Sequence, residues 1–239
     1  SVSLSSDGSI LAVGAPYNDG NGLEAGHVKI YNYNGTSWNQ LGSDIDGEAA
    51  GDQSGYSVSL SSDGNIVAIG ANWNDGAFID GGHVRIYNYN GTSWNQLGFD
   101  IDGEAFEDNS GYSVSLSSDG SIVAIGAHYN SGNGGTYSGH VRIYQWNSIS
   151  TSWVQLGQDI DGEEIYDMSG NLQGLALNGD GTKVSIGALY NNGGSSSNVN
   201  RGHVRIFGFI SGCMDPNFVE YNSAAIIDDS SCVTPVVYG

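Results

Sequence analysis

The stretch Gly55-Tyr-Ser-Val-Ser-Leu-Ser-Ser-Asp-Gly-Asn-Ile-Val-Ala-Ile-Gly-Ala71 decides the fold. Tyr56, Val58 and Leu60 alternate with serines, which gives a strand with one apolar face. Ser62-Asp63-Gly64 is turn chemistry. Ile66 to Ala71 then reads as a second strand, whose Ala68 and Gly70 keep one face small enough for a neighbouring sheet to approach closely. A longer loop follows. His83 to Tyr89 is a third strand turned by Asn90-Gly91, and Trp94 to Ile101 is a looser fourth.

The same pattern recurs. SVSLSSDG stands at Ser1, Ser57 and Ser113, with a degenerate LALNGDG at Leu175. Asp7, Asp63 and Asp119 are 56 residues apart, and Asp180 follows 61 later. GHV(K/R)I recurs at Gly26, Gly82, Gly139 and Gly202, and a Thr-Ser-Trp motif places Trp38, Trp94 and Trp153 in register. Four antiparallel strands per copy is the size of one propeller blade, and radial stacking buries both faces of each sheet. The expected fold is therefore an all-β propeller over residues 1–209, with blades at about 1–46, 56–102, 112–161 and 170–209, followed by a small module at 210–239. Rings of this kind close with about 4 to 8 blades. The chain begins at a first strand and ends its last copy after a third, so it is expected to be part of a longer polypeptide and a larger ring. A closed ring of four is the alternative.

Composition agrees with this reading. In 239 residues there are 38 Gly, 14 Tyr and 5 Trp against 3 Pro and 2 Met, a mixture rich in turn and strand formers. Six Lys plus Arg against 26 Asp plus Glu give a formal net charge of -20, which repels a phosphate backbone or an anionic membrane surface. Nucleic acid is excluded as a partner on that ground, and no apolar run approaches the roughly 20 residues of a membrane span.

Alternating strand direction puts the short Ser-Asp-Gly and Asn-Gly turns on one face and the long loops on the other, where binding usually concentrates. Each long loop opens with an aromatic residue and an asparagine: Tyr17-Asn18, Trp73-Asn74, Tyr129-Asn130 and Tyr190-Asn191. These eight residues are the candidate ligand site. Acids of the other long loops, such as Asp46, Glu48 and Asp52, lie beside them, and the alternative is a purely structural rim. His27, His83, His140 and His203 open the third strands, a repetition that suits scaffold hydrogen bonds rather than one shared metal. Lys29, Arg85, Arg142 and Arg205, two residues on, are expected to pair with acids of the same or an adjacent blade. His128 falls outside the repeat, with no catalytic partner close in sequence.

GYSVSLSSDGxIxAIGA followed by GHVRIY resembles the FG-GAP repeat, the blade unit of integrin-type β-propellers. That resemblance covers residues 1 to about 209 and implies a ring of about seven blades. The calcium-binding hairpin of that family is reduced here to Ser-Ser-Asp-Gly, which argues against calcium in that turn. Residues 212–232 resemble a cysteine-bracketed module of secreted proteins, which implies a disulfide between Cys213 and Cys232 and an oxidising compartment. Such a bridge would close a loop of about 20 residues, worth roughly 3 kcal/mol. Asp215, Asn217, Asp228 and Asp229 are the candidate calcium ligands, with turn capping as the alternative.

No phosphate loop, nucleophile elbow or metal-protease motif stands out. The expectation is a non-catalytic extracellular adhesion or protein-interaction domain of a larger secreted or surface-displayed protein, contacting surface or matrix proteins. A glycan-binding propeller and a structural spacer are the alternatives. The resemblance further implies export, by the type IX route.

Overall fold

The computed structural model describes residues 1–171, 174–193 and 200–209, together with the backbone of 211–212 and 227–228. Every regular element among them is a strand. None of the described residues forms a helix long and apolar enough to cross a membrane.

The second blade displays the plan. Its inner strand Ser57–Leu60 pairs antiparallel with Ile66–Ala71, with Ser59 opposite Ala68. Ile66–Ala71 pairs in turn with His83–Tyr89, with Ala68 opposite Ile86. The first turn closes because Asp63 Oδ1 accepts from both Ser61 Oγ and the Asn65 amide, while Ser61 Oγ accepts from the Ile66 amide. Gly64 takes the left-handed backbone this turn requires, at φ +72°.

Two details differ from the sequence-based reading. The hairpin after Tyr89 is a four-residue loop, Asn90–Ser93, because the Asn90 side chain accepts from the amides of Thr92 and Ser93 and holds the wider turn. The outer strand is broken into Trp94–Gln96 and Ile101–Asp102, both paired with His83–Tyr89. At the break, Gly98 is left-handed at φ +81°, and a Cβ there would press on the next blade's Trp146 and Trp153.

The first blade repeats this plan with Val2–Leu4, Ile10–Ala15, His27–Tyr33, Trp38–Gln40 and Ile45–Asp46. The third does so with Ser113–Leu116, Ile122–Ala127, His140–Asn147, Ser152–Gln155 and Ile160–Asp161. The fourth contributes Leu175–Leu177, Lys183–Ala188 and His203–Gly208.

The core lies between blades rather than within them. Ile10, Val28 and Ile30 of the first blade pack on Leu60, Val67 and Ile69 of the second. Val84 and Ile86 of the second meet Leu116, Val123 and Ile125 of the third. Ile122, Val141 and Ile143 of the third meet Val184 and Ile186 of the fourth. Each such side chain contributes about 1.5 to 3 kcal/mol by leaving water. A polar stitch beside the axis repeats with the apolar one: the amides of Leu60, Leu116 and Leu177 donate to Ser3, Ser59 and Ser115 of the preceding blade. This is the arrangement of a β-propeller with four-stranded antiparallel blades, as the repeat implies.

The proposed disulfide Cys213–Cys232 and the calcium candidates Asp215, Asn217 and Asp229 lie outside the described residues. Of Asp228 only the backbone is described, in a short parallel pairing of 227–228 with 211–212.

Candidate active site between the third and fourth blades

The long loops are built by their asparagines. Asn18, Asn74 and Asn191 each accept, through Oδ1, the amide of the glycine two residues on. The backbone oxygens of Asn18, Asn74, Asn130 and Asn191 accept the amides of Gly26, Gly82, Gly139 and Gly202, closing each loop onto its own third strand. Asn74, Asn130 and Asn191 are buried. Of their aromatic neighbours, Tyr17, Trp73 and Tyr190 are exposed, and Tyr129 is half-buried. The eight candidates are thus spread along four loops, and Tyr129 and Tyr190 share a cavity.

That cavity is a cleft of roughly 790 Å³ between the third and fourth blades. Tyr112, His128, Tyr129, Tyr190, Arg201 and His203 are among its walls. It opens where the fourth blade departs from the repeat. Ser1, Ser57 and Ser113 each donate to the backbone oxygen of a glycine at the start of the next blade, and the fourth copy has Gly174 at the matching place, lining the cleft.

His128 is its most distinctive group. The chain ends the second strand of each blade with alanine, and the next residue is Pro16, Asn72, His128 or Leu189. His128 is 4% exposed, with its ring centroid 3.6 Å from that of Tyr112 and 3.9 Å from that of Tyr129. Its Nδ1 is buried without a hydrogen-bond partner among the described residues. Burial lowers its pKa to about 4, so the imidazole is neutral at pH 7. The aromatic row continues from Tyr112 to Tyr56, at 4.9 Å, and from Tyr129 to Tyr137, at 5.0 Å. The Tyr56 phenol is pushed up, first by burial and then by its hydrogen bond with Tyr112. Sequence reading passed over His128 because nothing adjacent suggested catalysis. The signal was the mismatch among the four post-strand residues.

The remaining polar groups serve the joints between blades. Arg85, Arg142 and Arg205 donate to the backbone oxygens of Asp46, Asp102 and Asp161 of the preceding blade, and they face Glu48, Glu104 and Glu163 at 3.6, 3.5 and 3.9 Å. Lys29 instead pairs within its own blade with Asp44, at 3.3 Å. Asp52, Asp108 and Asp167 are buried, and each accepts two backbone amides of its own loop.

Among the described residues, three groups gather acids around a histidine with ligand atoms within 4.8 Å of one another: His27 with Asp44 and Asp46, Glu48 with His83 and Asp100, and Glu104 with His140 and Asp159. In the latter two a guanidinium already faces the glutamate, which suits an ion-pair joint better than a cation site. In the Ser-Ser-Asp-Gly turns the carboxylate is also engaged: Asp7 accepts from Ser5 and Ser9, and these bonds hold it down at about 2.

No protein-family model matches the chain, and no curated protein does. Its fold is shared with solved structures. One, named as a 6-phosphogluconolactonase of Bacteroides uniformis ATCC 8492, is 11% identical, with 87% of this chain covering 49% of that one at a TM-score of 0.56. Another, the periplasmic gluconolactonase PpgL of Pseudomonas aeruginosa, is 14% identical, with 87% of this chain covering 57% of that one at a TM-score of 0.51. The chain thus spans about half the length of the structures it matches. These comparisons correct the expectation of a non-catalytic adhesion, glycan-binding or spacer domain, because the two propellers just described are named as gluconolactonases.

Proposed function

We propose that the cleft between the third and fourth blades opens a small cyclic ester, a sugar lactone, by hydrolysis. The observation that carries this reading is His128, a largely buried imidazole, neutral at pH 7, whose ring forms part of the wall of a cleft. Fold likeness alone assigns no activity, so the chemistry is argued from the site. His128 takes a proton from a water molecule as the water oxygen adds to the lactone carbonyl carbon. The carbonyl π electrons move to oxygen, where the Arg201 guanidinium supplies positive charge. Collapse of the tetrahedral intermediate breaks the ring C–O bond, and the leaving alkoxide receives the proton held by His128. The product is an open-chain hydroxy acid. The flat faces of Tyr112 and Tyr129 on either side of the imidazole limit its rotation. A net charge of -20 favours a neutral lactone over a phosphorylated one.

The test is hydrolysis of a panel of neutral and phosphorylated sugar lactones, followed by acid release. His128→Asn, the residue that the second blade carries at this place as Asn72, should lower kcat/KM about a hundredfold or more. The wild-type rate should rise with pH through about 4 and then level. A wild-type rate no faster than the buffer's, or an unaffected His128→Asn variant, overturns the reading.

The finer family reading rests on the sequence. The recurring GYSVSLSSDG and GHVRIY motifs support FG-GAP kinship. The cysteine pair supports a disulfide and an extracytoplasmic location, in keeping with the periplasmic label of the Pseudomonas structure. Asp215, Asn217, Asp228 and Asp229 are proposed as calcium ligands from their oxygen chemistry and spacing in the sequence.

A further inference from the structure

The long loops of the first three blades share one backbone. The amides of Gln53, Asn109 and Met168 donate to the backbone oxygens of Glu24, Asp80 and Tyr137, and those of Gly51, Glu107 and Tyr166 donate to Leu23, Ile79 and Thr136. Glu24, Asp80 and Tyr137 thus hold one place in the blade, with φ at 52°, 52° and 50°. Gly51, Glu107 and Tyr166 hold another, with φ at 93°, 60° and 64°. Only the side chains change. The first two blades carry acids or glycine at these places, and the third carries tyrosine at both. Left-handed backbone is uncommon for so bulky a side chain, so nothing in the loop geometry itself asks for tyrosine there.

Both departures from the repeat adjoin the third one, His128. A line of rings leads away from its imidazole: the Tyr129 centroid lies 3.9 Å from it, that of Tyr137 5.0 Å from Tyr129, and that of Tyr166 6.0 Å from Tyr137. Tyr129 belongs to the cleft wall, and beyond it Tyr137 is half-buried and Tyr166 exposed. We propose that Tyr129, Tyr137 and Tyr166 hold a second sugar ring joined to the lactone, so that the substrate is a disaccharide lactone. This rests on the hydrolysis proposed above, with the lactone end at His128. A pyranose presents an apolar C–H face that lies against an aromatic ring and hydroxyls that reach a phenol. The two phenols stand where the second blade has Asp80 and Glu107, which removes two carboxylates and suits an uncharged ring. An alkyl chain would leave the phenol hydroxyls without a partner.

Hydrolysis of gluconolactone, cellobionolactone and an acyl-chain lactone by the full chain tests this. The value of kcat/KM should be about tenfold higher for cellobionolactone than for gluconolactone, through a lower KM. Tyr137→Asp and Tyr166→Glu introduce the residues that the second blade carries on the same left-handed backbone, and each should bring that ratio down toward one. Calorimetric titration with methyl cellobioside, which has no lactone to open, separates this inference from the hydrolase reading. Should no lactone be hydrolysed, the hydrolase reading fails and the second-ring site is judged by the cellobioside alone: saturable binding that both substitutions weaken supports it. A wild-type ratio near one, a ratio that neither substitution moves, preference for the acyl-chain lactone, or no binding of the cellobioside overturns the inference.

Discussion

At the level of single residues, the closest approach between blades is made by glycine. Gly70, next to last in a strand of the second blade, lies against the start of the third, where a Cβ would collide with the Gly111 carbonyl oxygen. That oxygen also accepts from Ser57, so it cannot simply move aside. Gly70→Ala should therefore destabilise the protein by about 3 kcal/mol despite being a single methyl, measured as a lowered urea midpoint with an unchanged slope. His128 illustrates the opposite case, a residue whose type rather than size matters. Asparagine stands at its place in the second blade, so the fold should accept His128→Asn while the proposed hydrolysis should not.

Strands and loops act through the joints they build. Arg85 reaches from the third strand of the second blade to the outer loop of the first, donating to Asp46 and facing Glu48. The planar guanidinium serves both partners at once, and a lysine ammonium cannot. Arg85→Lys should cost about 1 to 2 kcal/mol, read from chemical denaturation, with the remaining joints preserved. That basic residues would pair with acids of the same or an adjacent blade was legible from their spacing: Lys29 takes the first course and the three arginines the second. The broken outer strand was not legible. Trp94 to Ile101 reads as one run, and only the approach of Trp146 and Trp153 from the next blade explains why Gly98 leaves the sheet.

For the molecule as a whole, the buried histidines make stability depend on pH. An unfolded imidazole titrates near 6.5, and burial lowers His128 to about 4, with His83 and His140 shifted in the same direction by burial. Between those values the unfolded chain binds more protons, so the stability present above about pH 6.5 is lost as pH falls toward 4. Burial raises Glu48 and Glu104, whose contribution has the opposite sign and acts in the carboxylate range. The melting temperature should fall between about pH 7 and pH 5, and His128→Asn should remove about 2 kcal/mol of that dependence at pH 5. The four copies, the strand alternation, the Ser-Asp-Gly turns and the radial stacking were determined by the sequence, because periodic apolar faces can be buried only by repeating one contact. The cleft, the direction of the joints and the setting of His128 were decided by the tertiary structure. They arise where residues far apart in the chain face one another across a blade boundary, and a departure from the repeat acquires meaning only from what lies opposite it.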